Sequence, residues 1–376
     1  MFESTKALCD SYLEMGVPGF DLMICHKGQC VLRYMGGYSD RENKIPMKGD
    51  ELYNIYSCSK PITVVAAMQL WEKGLFDLED NLSKYFPEYA TMQVATEDGI
   101  VPAQKPIQIR ELFHMVAGFN YNLHSPKLEQ LRIDTNGKCP TREVARALAE
   151  EPLSNQPGDK YVYSLGHDVL AALVEHISGQ PFAEYVKEHI FDPLGMTNSS
   201  FLLPMEEYSR VVPLYNGASG EVKLSASNIP VYRLGTEHAS GGAGCASTVE
   251  DYMKFLEALR AGEKLIKRST LEKILTTQIT EHQARTYPRK DYGYGLGFRV
   301  PKAGCWPKEF GWGGAAGAHL AIDPSRELSI FFAQHVIAAP NKDIRGQLYL
   351  SAVKELTGEE PPQVIITDGG DAPVHN

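Results

Sequence analysis

A serine and a lysine stand three positions apart in "YSCSK" (residues 56–60), immediately before an apolar stretch with helical character. Residues three apart on a helix lie on neighbouring turns, so the side chains of Ser57 and Lys60 can meet. A serine hydroxyl becomes an effective nucleophile when a base takes its proton, and a lysine amine is such a base if burial keeps it neutral. Ser59 would point about 100° away around the helix. The spacing therefore predicts Ser57 as a nucleophile and Lys60 as its base.

The same residues also fit an ordinary start of a helix. Serine is a common N-cap, and Lys60 could be a solvated residue of the first turn. A lysine at that position opposes the helix dipole, which is a small local cost. Cys58 could mimic a catalytic thiol, but the sequence offers it no recognisable set of His and Asn partners, so we predict a packing role. The motif alone leaves the choice open.

The composition argues against two classes of protein. The chain has 376 residues, 43% of them hydrophobic, and a net charge of -10. This is enough apolar material for a large core, and the acidic balance is unlike that of a nucleic-acid-binding protein. No apolar run approaches the roughly 18 residues that span a bilayer, and the N-terminal stretch is not typical of a signal peptide. We therefore expect no nucleic-acid partner and no membrane span.

The cysteines are odd in number, scattered and without a CxxC pair, which is typical of free thiols in a reducing compartment. They are Cys9, Cys25, Cys30, Cys58, Cys139, Cys245 and Cys305. The histidines show no HExxH or similar pair, and neither GxxxxGK[ST] nor GxGxxG follows a strand pattern. The sequence therefore predicts a soluble cytoplasmic protein with no metal and no cofactor.

Strand-like runs occur near both ends of the chain, and helical patterns dominate the middle. A hairpin pattern surrounds Lys27-Gly28, and "YGYGLGFRVP", "EFGWGGAAGAHLAIDP" and "ELSIFFAQHVI" are consecutive strand-like runs. We predict an α+β fold, with one antiparallel sheet built from both chain ends, flanking helices and an inserted, mostly helical subdomain. Residues 1–360 would form one catalytic domain, with 1–60 and 240–360 in the α/β part and about 61–239 in the helical part. Residues 361–376 would form a flexible tail.

Five segments, taken in order, resemble the serine β-lactamase and penicillin-binding-protein-like superfamily. The likeness is to its class C β-lactamase-like branch, which includes the family VIII carboxylesterases, and it runs from about residue 10 to about 355. The segments are "YNIYSCSKPITVVAAMQLWEKGLFDLEDNLSKYFPE", "IQIRELFHMVAGF", "QPGDKYVYSLGHDVLAALVEHISGQPFAEYVKEHIFDPLGMTNSSF", "SGGAGCASTVEDYMKFLEAL" and "FGWGGAAGAHLAIDP". The resemblance implies a β-lactamase/transpeptidase-like fold and an acyl-enzyme mechanism.

The resemblance also implies roles for individual residues. Ser57 matches the acylated nucleophile and Lys60 the base beside it. Tyr163, in "YSL", matches the tyrosine that relays a proton between nucleophile, lysine and leaving group. A packed aromatic residue with a satisfied hydroxyl is the alternative for Tyr163. The backbone N–H groups of Ser57 and Ala315 would form the oxyanion hole, in which each donor is often worth about 3 kcal/mol.

Two motifs depart from the β-lactamase pattern. Many relatives have an asparagine two places after the tyrosine, whereas this chain has Leu165. The third motif is Trp312-Gly313-Gly314 instead of a cation or histidine, a small residue and a glycine. Trp312 cannot bind a carboxylate by charge, but it offers an apolar wall and one N–H donor, and the glycines let a substrate approach the strand backbone. We predict that these four residues line a substrate-binding surface similar to that of family VIII esterases.

These residues predict a serine hydrolase that cleaves a small or medium carboxylic ester through an acyl-enzyme on Ser57. Its partner would be a small-molecule ester or amide. A β-lactamase or D-amino-acid peptidase or amidase of the same fold is the second hypothesis, and an acyltransferase is the third. A catalytically inactive binding module is an alternative of another class, against which the intact Ser57, Lys60 and Tyr163 argue. The sequence leaves the oligomeric state open.

Overall fold

The computed structural model describes residues 1–361 except 263, 290, 304, 305 and 307. Its strands are β1 (Gly19–His26), β2 (Gln29–Asp40), β3 (Ile45–Pro46), β4 (Tyr53–Asn54), β5 (Gln93–Thr96), β6 (Gly99–Pro102), β7 (Tyr215–Asn216), β8 (Lys223–Leu224), β9 (Ala246–Ser247), β10 (Tyr292–Tyr294), β11 (Arg299–Pro301), β12 (Phe310–Gly313), β13 (His319–Asp323), β14 (Leu328–Ala333) and β15 (Val336–Ile337). Its helices are α1 (Glu3–Glu14), α2 (Ser59–Glu72), α3 (Ile109–Phe113), α4 (Pro126–Asp134), α5 (Thr141–Ala149), α6 (Gly166–Ser178), α7 (Phe182–Val186), α8 (Asp192–Leu194), α9 (Val249–Ala261), α10 (Arg268–Ile274) and α11 (Gln347–Thr357). Cys305 and all but the first residue of the predicted tail lie outside the described residues.

The main sheet joins the two ends of the chain. Its order is β10-β11-β12-β13-β14-β1-β2-β3, and its neighbouring strands are antiparallel. Leu22 of β1 lies opposite Phe332 of β14, so the N-terminal hairpin pairs directly with a strand from the end of the chain. The predicted α+β fold with an antiparallel sheet from both chain ends is therefore confirmed.

Helices cover both faces of this sheet. Consecutive residues of a strand point to opposite faces, and each of two neighbouring phenylalanines in β14 meets a different helix. Phe331 stacks on Tyr252 of α9 with ring centroids 4.2 Å apart, and Phe332 meets Tyr12 of α1 edge to face at 5.6 Å. Since both faces are covered, every residue of β14 is buried.

The chain between β4 and β9 is mostly helical and is organised around α2. Residues 59–68 and Leu70 of α2 are buried, as expected of a helix that is apolar on all sides and lies in a core. It packs against α6. Two short hairpins interrupt the helices, β5 with β6 and β7 with β8. Within the described residues, no helix is both long and apolar enough to cross a membrane.

Candidate active site

The candidate nucleophile Ser57 lies in a tight turn that leads into α2. Residues 56–58 form a 3-10 turn, and α2 begins at Ser59. Because a 3-10 helix has about three residues per turn, positions 57 and 60 come to the same side. Tyr56 has a φ of 48°, a left-handed conformation that costs about 1–3 kcal/mol in a non-glycine residue. A strained turn therefore holds the side chain of Ser57, which is 4% exposed.

Lys60 is fully buried, and its amine has three partners. Its Nζ lies 3.2 Å from Ser57 Oγ, 3.3 Å from the hydroxyl of Tyr121 and 2.8 Å from the carbonyl oxygen of Gly242. Burial lowers the pKa of the Lys60 amine to about 7, although the negative charge of Asp168 acts in the opposite direction. A large fraction of Lys60 is therefore neutral near pH 7, which is the state a general base requires.

Tyr163 approaches the same hydroxyl from the segment before α6. Its phenol donates a hydrogen bond to Ser57 Oγ at 2.7 Å, and its ring face lies 4.5 Å from Lys60 Nζ. Burial raises the pKa of the Tyr163 phenol above its usual value of about 10, and the contact with Ser57 only partly offsets this effect. Tyr163 is thus a proton donor at neutral pH, whereas Lys60 can be the proton acceptor.

Tyr121 is a site residue that the sequence analysis missed. Its hydroxyl is the second side-chain partner of Lys60, and its ring stacks on that of Tyr163 with centroids 5.4 Å apart. It lies in a loop after α3, where no fixed spacing relates it to the serine–lysine pair. One tyrosine among nineteen carries no signal of its own, so only the packing of the chain reveals it.

The end of β12 lies against the nucleophile turn. A Cβ on Gly314 would come 2.3 Å from the carbonyl oxygen of Ile55, a separation that real side chains do not allow. Gly314 must therefore be a glycine for β12 to approach residues 55–57 this closely. Gly313 is the last residue of β12 and pairs with His319, and Ala315 follows Gly314 directly. The structure thus brings the segment of Ala315 next to the turn of Ser57.

Trp312 forms one aromatic wall of this region. Its ring is fully buried and stacks on Tyr163 with centroids 5.8 Å apart. Its indole N–H makes no hydrogen bond of normal geometry with the described residues, although it lies close enough to Tyr163 to lower the pKa of that phenol slightly. The ring is therefore a buried apolar surface beside the proton donor.

Leu165 lies at the start of α6, and its side chain is buried. It is the N-cap of α6, is 2% exposed and belongs to the main hydrophobic core. Its backbone N–H donates to the carbonyl oxygen of Asn120. This backbone hydrogen bond joins the start of α6 to the loop that carries Tyr121. Leu165 contacts the region of the candidate site through this bond.

Residues 225–238 add a further aromatic wall to this region. Val231 is 62% exposed, but its neighbour Tyr232 is only 6% exposed. The ring of Tyr232 meets Tyr121 edge to face at 5.5 Å and Tyr56 in the same way at 5.7 Å. Tyr56 precedes the nucleophile and Tyr121 binds its base, so Tyr232 packs against both sides of the candidate site.

An antiparallel sheet covered by helices, with a buried core helix beside it, defines the β-lactamase/transpeptidase-like class of fold. A family model described as Beta-lactamase matches residues 6–343. The chain belongs to the Beta-lactamase family, which confirms the family predicted from the sequence.

Named relatives include two esterases. Esterase EstB of Burkholderia gladioli is 28% identical over 344 residues, which cover 84% of this chain and 86% of that protein. Lovastatin esterase of Penicillium rubens is 28% identical over 344 residues, which cover 81% of this chain and 84% of that protein. Among solved structures, "EstCE1, a hydrolase with promiscuous acyltransferase activity" has a TM-score of 0.77 and 24% identity, over 92% of this chain and 96% of that one. At that identity, the likeness to EstCE1 concerns the fold.

Proposed function

We propose that this chain is a serine hydrolase that cleaves small or medium carboxylic esters through an acyl-enzyme on Ser57. One observation carries the proposal: Ser57 Oγ lies 3.2 Å from the amine of Lys60 and 2.7 Å from the phenol of Tyr163, and both Ser57 and Lys60 are buried. A nucleophile with a base on one side and an acid on the other is the arrangement that acyl transfer requires.

In the acylation step, the neutral amine of Lys60 takes the proton of Ser57 as Oγ bonds to the ester carbonyl carbon. The carbonyl oxygen becomes an oxyanion, which the backbone N–H groups of Ser57 and Ala315 would stabilise. When the tetrahedral intermediate collapses, the bond to the alkoxide breaks, and Tyr163 donates its proton to that leaving group. Lys60 then returns a proton to Tyr163, and its amine is neutral again.

In the deacylation step, water replaces the alcohol. Lys60 takes one proton of the water while the water oxygen attacks the acyl carbon, and the second tetrahedral intermediate expels Ser57. The acid leaves, and the proton returns to Ser57 Oγ.

Two features support esters over β-lactams or peptides. Trp312 stands where many β-lactamases have a cation, so the third motif gives a substrate carboxylate no charged partner. The amide side chain that many relatives place two residues after Tyr163 is replaced by the buried Leu165. The two esterases among the relatives favour the same substrate class.

A fluorophosphonate probe tests this proposal because it labels an activated serine. We expect wild type to be labelled and Ser57→Ala to be unlabelled. Ser59→Ala is the matched control, since Ser59 Oγ is held by the Tyr56 carbonyl and the Cys245 N–H, and this variant should be labelled like wild type. Equal labelling of Ser57→Ala, or no labelling of wild type, would refute the proposal.

A pair of substrates then tests the reaction class. Unlabelled wild type should hydrolyse p-nitrophenyl butyrate much faster than nitrocefin. The reverse preference would assign the site to β-lactams and reject the ester proposal.

Acyl transfer to an alcohol is the second candidate. The likeness in fold to EstCE1, described as a hydrolase with promiscuous acyltransferase activity, favours it. Incubation of p-nitrophenyl butyrate with a series of primary alcohols should then yield the new butyrate esters. Butyric acid as the sole product across the series would reject this candidate.

We also propose a cytoplasmic location. The six described cysteines, Cys9, Cys25, Cys30, Cys58, Cys139 and Cys245, are free thiols. Such cysteines are typical of a reducing compartment.

A further inference from the structure

Asp168 places a buried carboxylate beside the candidate base. It is the third residue of α6 and is 2% exposed. Its Oδ1 accepts a hydrogen bond from the hydroxyl of Ser240 at 2.6 Å. Its Oδ2 is buried and, among the described residues, has no hydrogen-bond partner. Burial of a carboxylate with half of its hydrogen-bonding capacity unused is costly, so a nearby positive charge is expected.

Gly242 creates the space in which this carboxylate faces Lys60. The carbonyl of Gly242 accepts the hydrogen bond from Lys60 at 2.8 Å. A Cβ at Gly242 would lie 2.7 Å from Asp168 Oδ2, 3.1 Å from the Tyr121 hydroxyl and 3.5 Å from Lys60 Nζ. The carboxylate, the phenol and the amine therefore surround one point that only a glycine leaves empty.

The imidazole of His238 lies on the other side of Asp168. Its Nδ1 accepts a hydrogen bond from the N–H of Leu234 at 3.2 Å, so the ring proton of neutral His238 is on Nε2. That nitrogen lies 3.5 Å from Asp168 Oδ1. Asp168 Oδ1 thus has its hydrogen-bond donor in Ser240, and Asp168 Oδ2 is left for the side of Lys60.

Besides Asp168 itself, the side chains that act on Lys60 or Asp168 come from several elements. None of those named next is a carboxylate. They are Cys58, Tyr121, Tyr163, His167, His238 and Ser240. Burial and the charge of Lys60 hold the pKa of His167 well below its usual value, so that imidazole is neutral. Burial raises the pKa of the Tyr121 phenol, so it is neutral as well.

We propose that Asp168 is a positioning residue that acts through Lys60: its carboxylate stabilises the ammonium that forms when Lys60 takes the proton of Ser57. The inference rests on the proposed function. In that step the O–H bond of Ser57 breaks, an N–H bond forms at Lys60, and Oγ bonds to the acyl carbon. Asp168 itself gains no proton in this step, because the proton goes to Lys60. Asp168 completes a Ser57–Lys60–Asp168 series, in which the carboxylate of Asp168 neutralises the positive charge that Lys60 acquires.

The variant Asp168→Asn tests the inference, because it removes the charge while it keeps the shape and an acceptor for Ser240. A carboxylate near an ammonium raises the pKa of that ammonium, so its removal should let Lys60 lose its proton at lower pH. We expect the acid limb of the kcat/KM profile for p-nitrophenyl butyrate to move down by about one pH unit or more, and the plateau to fall about 10-fold or more. A role in folding alone would lower activity without moving the limb.

Asp251→Asn is the matched control. Asp251 is also a buried aspartate that accepts backbone and lysine hydrogen bonds, but it lies on α9. The acid limb of the kcat/KM profile of Asp251→Asn should coincide with that of wild type. If Asp168→Asn does not fold, Gly242→Ala serves instead, since its Cβ would push Asp168 Oδ2 away, and a smaller shift in the same direction is expected.

An acid limb that stays in place in a folded, fluorophosphonate-labelled Asp168→Asn or Gly242→Ala variant would overturn the inference while leaving the proposed function intact. Absence of labelling in wild type would instead reject the proposed function itself.

Discussion

Gly314 of the third motif lies so close to Ile55 that a Cβ would come 2.3 Å from the Ile55 carbonyl oxygen. The two residues belong to opposite ends of the chain, yet their contact joins the strand β12 to the turn that holds Ser57. The sequence motif predicts that Gly314 contacts a substrate. In the structure, Gly314 is also where β12 meets the turn that holds Ser57.

We expect Gly314→Ala to damage both stability and activity. The added Cβ must move backbone, which typically costs about 1–3 kcal/mol. Displacement of the turn by a fraction of an ångström should lower kcat/KM for p-nitrophenyl butyrate by about 10²-fold. Thermal unfolding and steady-state kinetics measure the two effects.

Gly74→Ala is the control for Gly314→Ala. Gly74 has a φ of +70° and open space around it, so an alanine there should cost stability only, by about 1 kcal/mol. Its kcat/KM should match wild type. If Gly314→Ala also kept wild-type kcat/KM, the contact with Ile55 would have no part in holding the site.

The pH dependence of the reaction should follow Lys60. Its pKa is lowered to about 7 by burial, and the neutral amine is the active form, so kcat/KM should rise as the pH increases through about 7 and then level off. The raised pKa of Tyr163 means that loss of its proton should not reduce activity below about pH 10. Lys60→Arg stays cationic and should be inactive over the whole range. A limb near the ordinary lysine value would show that burial does not lower the pKa of Lys60, and an active Lys60→Arg variant would show that Lys60 is not the base.

Tyr121→Phe should slow the reaction without unfolding the protein. The ring keeps its stacking on Tyr163, but Lys60 loses a hydroxyl at 3.3 Å. Hydrogen bonds to charged groups are worth about 1.5–3 kcal/mol, so kcat/KM should fall about 10-fold to 100-fold. Tyr85→Phe, which removes a surface tyrosine hydroxyl bonded to Asp80, is the control and should keep full activity. Equal kinetics for the two variants would remove Tyr121 from the mechanism.

The serine–lysine pair and the sheet could be predicted because their signals are local or periodic. The three-residue spacing of Ser57 and Lys60 is maintained by the 3-10 turn, and the strand-like runs at both chain ends pair as β1 with β14. The predicted substrate contact of Leu165 in "YSL" stays a prediction, and the structure places its side chain in the same hydrophobic core as Trp312.

Other parts of the site depend on long-range packing that no local pattern encodes. Tyr121, Gly242 and Tyr232 reach the region of Ser57 from three separate loops, and none has a fixed spacing from it. Asp168 lies only five residues after Tyr163, but its relation to Lys60 exists because Gly242 lacks a side chain. Such relations become visible only when the chain is folded.

Tyr232→Ala should change which esters the enzyme prefers. The ring of Tyr232 packs between Tyr56 and Tyr121, and Ile229 and Val231 of the same segment have exposed side chains. Removal of the ring should open a path along which a longer acyl chain can bury methylene groups, each worth about 0.8 kcal/mol when fully buried. We expect the ratio of kcat/KM for p-nitrophenyl octanoate to that for the acetate to rise about 10-fold or more. Tyr232→Phe keeps the ring and should leave this ratio near the wild-type value. The ratio is the useful readout because a general loss of stability would lower both rates together, and an unchanged ratio in a folded Tyr232→Ala variant would show that this ring does not limit the acyl group.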